Sequence, residues 1–464
     1  MVRVRFASFA VLTLWLLLPG ADAVMCRPGG TARPGAAAPL TSRVSCVPHL
    51  GLRADESIDA FDFAIDDSGA LHFAWAATRS DSGSQRRRRS EIWYCRGDRG
   101  GASWTRPLRL GPAQGAGPRV VIAGGALHVF SGWDLKHWAS GDRGDSWSVL
   151  PALRDGPRWG ARSFDIHAMN DDSLLVAFIG VGVDSPGEPP VPGSALYVLT
   201  WSGLGASQPH RLVRVAGAPV FLPAPRIASD GDRIHVFAGF NELFTRVETV
   251  NGRSCEVTKQ RGRLFHAVCS AQGVPADWGA AQELPLPRRH GESLGDLAVL
   301  SSEDQVALFF CAYSVYRTEL APDGKWSRAV PLTPEREPFI GSYASSSVGV
   351  ARVGCQARLV WIDERHRKSD RSPWNPLGGF PWSDSPEWCN NDVFTTRLPT
   401  APTSPLIPGS PRAERLTQPL SQARGAIIHA VGERFCVAWN GRAKVGRTPA
   451  DRGASPQLFF TYLP

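Results

Sequence analysis

Asp66-Asp67-Ser68-Gly69-Ala70-Leu71-His72-Phe73-Ala74-Trp75 is a tight Asp/Ser/Gly turn leading into an apolar strand, and the chain repeats it. It returns as Ala-Gly-Gly-Ala-Leu-His-Val-Phe from Ala123, Asp-Asp-Ser-Leu-Leu-Val-Ala-Phe from Asp171 and Asp-Gly-Asp-Arg-Ile-His-Val-Phe from Asp230. Weaker copies are centred on Val306, Ala357 and Phe435. Taking Leu71, Leu127, Leu174, Ile234, Val306, Ala357 and Phe435 as anchors, the period is (435 − 71)/6, or roughly 61 residues. Most units continue into a third strand (Glu91–Arg96, Lys136–Ser140, Ala195–Trp201, Leu264–Cys269, Val315–Leu320), a Gly/Asp turn and a fourth strand. Inner strands apolar on both faces, in units of four short antiparallel strands, are the pattern of a blade held between two other blades.

The expectation is therefore an all-β β-propeller of about seven four-stranded blades, six being the alternative. The last unit stops at a third strand, Leu458–Tyr462, while Val44–His49 has no partner of its own, so an N-terminal strand should close the ring. With 47 Gly, 38 Pro and 3 Met, the composition suits short strands and turns rather than long helices.

Arg3 and Arg5, the apolar run Phe6–Leu18 and Ala21-Asp22-Ala23 read as a secretory signal over residues 1–23. Residues 24–42 then form a Pro/Gly/Ala-rich leader, and 43–464 a single propeller domain. The reading is a secreted or periplasmic protein with no membrane span, since no later segment holds the roughly 20 apolar residues a spanning helix needs. Export makes disulfides permissible for the nine cysteines; Cys255 and Cys269 are candidates to close a hairpin, and Cys26 and Cys46 to tie down the leader. Their dispersion gives no metal-ligand cluster, and neither a metal nor a cofactor is expected. A net charge of +8 fits an anionic partner, while export and the lack of a basic, aromatic-interleaved face argue against nucleic acid.

Ser140-Gly141-Asp142-Arg143-Gly144-Asp145-Ser146-Trp147 matches the pattern S-x-D-x-G-x-[ST]-W. Asp98 to Trp104 is similar with one extra residue, and Ala321 to Trp326 is a shortened form. On these residues the chain resembles the Asp-box, or bacterial neuraminidase repeat, propellers, which include the sialidases. The Asp, Gly and Trp of such turns have structural work to do: backbone N–H bonds to the carboxylate, a positive φ, and a ring packed between blades.

Candidate ligand residues follow from the repeat. Asp62 and Asp165 each precede their anchor by nine residues (71 − 62, 174 − 165), and Pro118-Arg119 and Pro225-Arg226 occupy the matching place in the intervening units. Arg424 leads into the seventh unit. Guanidinium groups converging on a channel mouth can grip a carboxylate or sulfate; alternatively, Arg and Asp pair between blades as a structural ring. The sialidase resemblance implies an arginine triad, a Tyr nucleophile assisted by Glu, and an Asp acid and base. Tyr343 fits the nucleophile, Glu292 its base and Asp62 or Asp55 the acid, with Arg119, Arg226 and Arg424 as the clamp. The sequence departs from that family in counting seven units and in lacking its Arg-Ile-Pro element; Arg226-Ile227-Ala228 is the nearest echo. A sixth-unit loop carrying Trp374, Trp382, Trp388, Asp363 and Glu364 reads as a sugar-stacking lip or a local mini-core. Two functions are thus expected: binding or hydrolysis of glycans, acidic ones included, by a sialidase-like hydrolase, or a non-catalytic propeller holding a protein or polysaccharide at the cell envelope.

Overall fold

The computed structural model describes residues 44–464 apart from 49, 51, 53–55, 80–89, 154–158, 170–171, 183–192, 204, 217–222, 251–252, 271–276, 288–293, 303–304, 313, 334–344, 364–391, 399–412, 418–422, 424 and 442–456. Residues 1–42, read from sequence as a signal and leader, lie outside that set. Among the described residues there are seven antiparallel sheets and no α-helix.

Blade 1 is Glu56–Ile65, Leu71–Arg79, Ser90–Gly97 and Leu108–Ala113, innermost strand first. Blade 2 is Arg119–Ala123, Ala126–Ser131, Lys136–Ser140 and Ser148–Leu150. Blade 3 is Trp159–Ala168, Leu174–Gly182, Gly193–Ser202 and His210–Ala216, with Gly205–Ala206 beside its third strand. Blade 4 is Arg226–Ser229, Arg233–Val250, Arg253–Ser270 and Gln282–Leu284. Blade 5 is Leu297–Ser302, Gln305–Cys311, Val315–Leu320 and Val330–Pro331, and blade 6 is Ser345–Val353, Gln356–Asp363, Asp392–Leu398 and Glu414–Arg415. Blade 7 has Gly425–Val431, Arg434–Gly441 and Gln457–Leu463, and its outer strand is Ser45–Cys46, in the register Ser45↔Phe460. Each innermost strand contacts the next all the way round, including blade 7 against blade 1, so the ring is closed. Seven blades replace the six-bladed alternative.

The second strands are buried on both faces because each blade is covered by two others. Leu71, Phe73, Trp75 and Val236, Phe237 are all at 0–1 % exposure. Apolar clusters bridge neighbours: one joins blades 7 and 1 through Phe63, Phe73, Cys436 and Phe460, another joins blades 3 and 4 through Ala177, Ile179, Val236 and Ala238. Burying such side chains stabilises each blade interface by about 1.5–3 kcal/mol per large residue.

The expected Cys255–Cys269 bridge does not form. Both cysteines lie in the one continuous strand Arg253–Ser270, where Cys255 pairs with Glu248 and Cys269 with Ile234. At about 3.3 Å per residue, fourteen steps (269 − 255) separate them by roughly 46 Å. The partner proposed for Cys46, Cys26, lies outside the described residues.

Candidate functional site

The two faces of the disc differ. On one, the first and second strands meet in tight turns, such as Asp66–Ala70, Gly124-Gly125 and Gly432-Glu433, and the third and fourth strands meet at the Asp98, Asp142 and Asp323 turns. On the other, second and third strands are joined over the spans 80–89, 183–192, 364–391 and 442–456, and blade 4 extends both strands to the pair Val250↔Arg253. Outer strands also lead into the next inner strand at this face. It is the loop-bearing face, and the usual place for ligands on such scaffolds.

The Asp turns lie on the opposite face and are built as local anchors. Asp142 Oδ1 accepts from the Ser146 N–H at 2.9 Å and from Ser140 Oγ at 2.7 Å, and its Oδ2 accepts from Ser146 Oγ at 2.6 Å. These bonds, led by Ser146, hold its pKa down at about 2. Asp98 accepts in the same way from Ala102, Ser103 and the Ser103 hydroxyl. The tryptophans that follow pack backward onto the preceding blade: Trp147 onto Tyr94, Trp326 onto His266, and Trp104 across the ring closure onto Phe460.

Around the channel, the inner strands carry a belt of charge. Asp62, Arg119, Asp165 and Arg226 stand at one level, opposite Ala74, Phe130, Ala177 and Phe237, which are equivalent positions of the second strands. Asp62 Oδ2 accepts the Val120 N–H of blade 2 at 2.8 Å, and Asp165 Oδ2 accepts the Ile227 N–H of blade 4 at 3.0 Å. Arg119 pairs with Asp165 at 3.5 Å. Arg226 donates from Nη2 to Asp296 at 2.9 Å and from Nε to the Leu297 carbonyl at 2.6 Å. Asp296 continues the belt, accepting from Ser347 Oγ at 3.3 Å and from the Val348 N–H at 3.4 Å in blade 6. Ser347 Oγ in turn accepts from the Ala426 N–H of blade 7 at 3.3 Å, and Asn440 of blade 7 donates to the Ile58 carbonyl of blade 1. Every blade is thereby tied to its neighbour.

The belt perturbs its own members. Burial pushes the Asp62 carboxyl up, with Arg119, His429 and the Val120 N–H pulling back. For Arg226, burial opposes the charge, but Asp296, Asp165 and Asp62 together raise its pKa above the ordinary guanidinium value. His429, on the inner strand of blade 7, is lowered by burial against the pull of Asp62, a backbone bond to Phe63 and Asp165. Its ring stands edge-on to Phe63 at 4.5 Å, and its Nε2 is buried with no hydrogen-bond partner among the described residues.

Of the residues singled out from sequence, the structure brings Asp62, Arg119 and Arg226 into this belt. Asp62 is 8 % exposed and bridges two blades. Arg226 has a protein acceptor for each of its three nitrogens, whereas Arg119 uses Nε and Nη1 and keeps Nη2 without a partner among the described residues. Tyr343, Glu292, Asp55, Arg424, Trp374 and Trp382 lie outside the described residues. The sequence reading missed Asp296 and His429. Asp296 sits ten residues before its anchor (306 − 296), one step off the nine-residue spacing, and His429 sits two positions past the charged level.

A second recurrent device was visible in sequence as the Leu-His pair of the repeat but not understood. His72 touches Asp66 at 3.3 Å and Tyr94 at 2.8 Å; His235 touches Asp230 at 3.0 Å and His266 at 2.9 Å; His128 touches His137 at 2.9 Å. In blade 6 the same position holds Arg358, 1 % exposed, which donates to the Pro464 carbonyl of blade 7 at 3.0 Å. These side chains join a turn, a third strand and the following blade.

No protein-family model matches the chain, and no curated protein does. Among solved structures, it is similar to a polysaccharide lyase described as an ulvan lyase, at a TM-score of 0.51 and 12% identity, over 87% of this chain and 93% of that one. The same lyase bound to a glucuronate and sulfated-rhamnose unit gives 0.50 and 12%, over 84% and 90%. A mutant Trypanosoma rangeli sialidase is matched at a TM-score of 0.34 and 10% identity, over 87% of this chain and 54% of that one. At these identities the likeness is one of fold, shared with propellers that process glycans.

Proposed function

We propose that this chain is an exported, polysaccharide-directed propeller that takes an acidic glycan on its loop-bearing face, over the channel mouth. The observation that carries the reading is the asymmetry of the disc: the second strands end and the third strands begin on one face with long spans of sequence between them, while strands on the other face are joined by short turns, and a belt of Asp and Arg lines the inner strands between. The fold it shares with an ulvan lyase and its net charge of +8 support an anionic polysaccharide as ligand. In the catalytic version, Tyr343 and Glu292 act with a group of the belt, and Arg119 and Arg424 hold the substrate's acid group.

The pairing of Arg226 with Asp296 and of Arg119 with Asp165 favours the second reading, a propeller that binds without turnover, because those guanidinium groups already serve the ring. Incubation with ulvan, polygalacturonate, arabinan and fluorogenic sialosides separates the two. Reducing ends or unsaturated uronates that disappear in Tyr343→Phe establish catalysis. Binding that survives both Tyr343→Phe and Glu292→Gln, with no product from any substrate, establishes the binding protein. Neither binding nor product with any of them rejects the glycan reading.

A further inference from the structure

On the loop-bearing face, away from the channel, a cavity of about 580 Å³ lies between the outer strands of blade 1 and the Gly132–Leu135 turn of blade 2. Its size suits a sugar or two. Trp133 stands in it 55 % exposed, although its neighbour Leu135 is buried in the core of blades 2 and 3. A large aromatic left in water within a turn that had a core at hand calls for a reason.

The turn is firmly held. The Trp133 N–H donates to the Gln114 carbonyl at 2.7 Å, its carbonyl accepts from the Ala161 N–H of blade 3 at 2.9 Å, and the Gly132 N–H donates to the Ala116 carbonyl at 2.9 Å. Leu135 is kept at φ 51°, a left-handed conformation that a branched side chain disfavours and that only a fixed surrounding maintains. The indole is seated against Gly115, where an added Cβ would fall 1.6 Å from Trp133 Cδ1. One side of the ring is thus fixed on backbone, and the ring is preorganised rather than mobile.

Polar groups of both signs surround it. Arg109 and Glu91 form a two-bond pair, each bond 2.8 Å, and Lys136 Nζ donates to the Pro112 carbonyl at 2.9 Å, its one hydrogen bond among the described residues. The side chains of Asp134 and Gln114 have no hydrogen-bond partner among the described residues. A rigid aromatic face beside fixed donors and acceptors matches a pyranose, which offers an apolar C–H face and a rim of hydroxyls.

We infer that Trp133 is the platform of a pyranose-stacking subsite, which grips one unit of a polysaccharide chain outward from the channel and so lengthens the surface over which that chain is held. This rests on the polysaccharide reading above. The test is affinity electrophoresis and calorimetric titration of wild type, Trp133→Ala, Trp133→Phe and Gly115→Ala with ulvan, polygalacturonate, arabinan and dextran, with a thermal melt of each variant. The expected result is binding of at least one polysaccharide, weakened on the order of tenfold by Trp133→Ala and by Gly115→Ala, as for a central aromatic contact, and largely kept by Trp133→Phe. Wild-type affinity in Trp133→Ala for every polysaccharide bound overturns the subsite and leaves the polysaccharide reading standing. Should Trp133→Ala fail to fold, Trp133→Phe and Gly115→Ala decide: equal affinity in both overturns the subsite. Absence of binding by wild type to all four overturns subsite and reading together.

Discussion

The buried histidines set how this protein answers to acid. Burial, reinforced by His128, lowers His137 to about 3; burial, reinforced by His235 and Arg233, lowers His266 to about 3. His72, His128 and His235 are lowered by burial as well. Each folded value lies below the unfolded one near 6.5, so the unfolded chain binds more protons in between. The stability that comes with the neutral rings is complete above about pH 6.5 and drains away as the pH falls toward 3. Denaturation followed from about pH 7 to pH 4 should show a loss on the order of 3 kcal/mol for each of His137 and His266. His137→Phe and His266→Phe should flatten that slope, since Phe130 and Phe237 already stack on the two rings; an unchanged slope would place the acid sensitivity elsewhere. Two adjacent glycines make a second residue-scale test. Gly100 has φ 98° with open space around it, while Gly101 has φ 69° and a Cβ there would meet Phe460 Cζ at 2.3 Å. Gly100→Ala carries backbone strain alone, about 1 kcal/mol, whereas Gly101→Ala also pushes apart blades 1 and 7 and should cost about 2–4 kcal/mol in a urea titration.

At the scale of strands, the channel belt depends on which atoms of each blade the next one needs. Asp165 both accepts the Ile227 N–H and pairs with Arg119, so Asp165→Ala strands two groups; Asp62→Ala strands chiefly the Val120 N–H. Losses of about 3–5 kcal/mol for Asp165→Ala and 1–3 for Asp62→Ala are expected by chemical denaturation, with Asp62→Asn recovering part of the latter through its remaining carbonyl oxygen. Equal stability in all three would remove the belt from the forces holding the blades together. The strands themselves were readable because the second strand repeats its apolar run and is preceded by a turn each time. The Cys255–Cys269 hairpin was misread because the stretch between the two cysteines is one continuous strand, paired along its length with Arg233–Val250, and not a turn. The belt was half readable. Asp62 and Asp165 stand nine residues before their anchors and Arg119 and Arg226 eight, but Asp296 does the same work from ten, and no spacing shows that a carboxylate ends on its neighbour's backbone. Trp133 gave no signal, since an exposed tryptophan has the same letter as a buried one.

For the whole molecule, closure is the decisive event, and seven blades make it asymmetric. Charges alternate Asp, Arg, Asp, Arg at one level through blades 1 to 4, but an odd ring cannot alternate throughout, and the same level in blades 5 to 7 holds Ala298, Gly349 and Ile427. The seam between blades 7 and 1 is instead held by Asn440 on the Ile58 carbonyl, by Trp104 on Phe460, and by the strand Ser45–Cys46 on Gln457–Leu463. The Val47 N–H adds a bond to the Leu458 carbonyl at 2.9 Å, and Val47 and Leu50 enter the core shared by blades 7 and 1. A chain beginning at residue 44 keeps all of this; one beginning at residue 52 loses the strand, two core side chains and the cover over Phe460. The shorter form should lose about 4–6 kcal/mol, the sum of two buried aliphatic side chains and their backbone bonds. Its bare strand edge at Gln457–Leu463 should also pair with other copies, as exposed edges do, giving a lower melting temperature and a concentration-dependent mass by light scattering. Matching melting curves and a monomeric mass for both forms would mean that the other seam contacts close the ring unaided, and that the N-terminal strand is a passenger on a circle already complete.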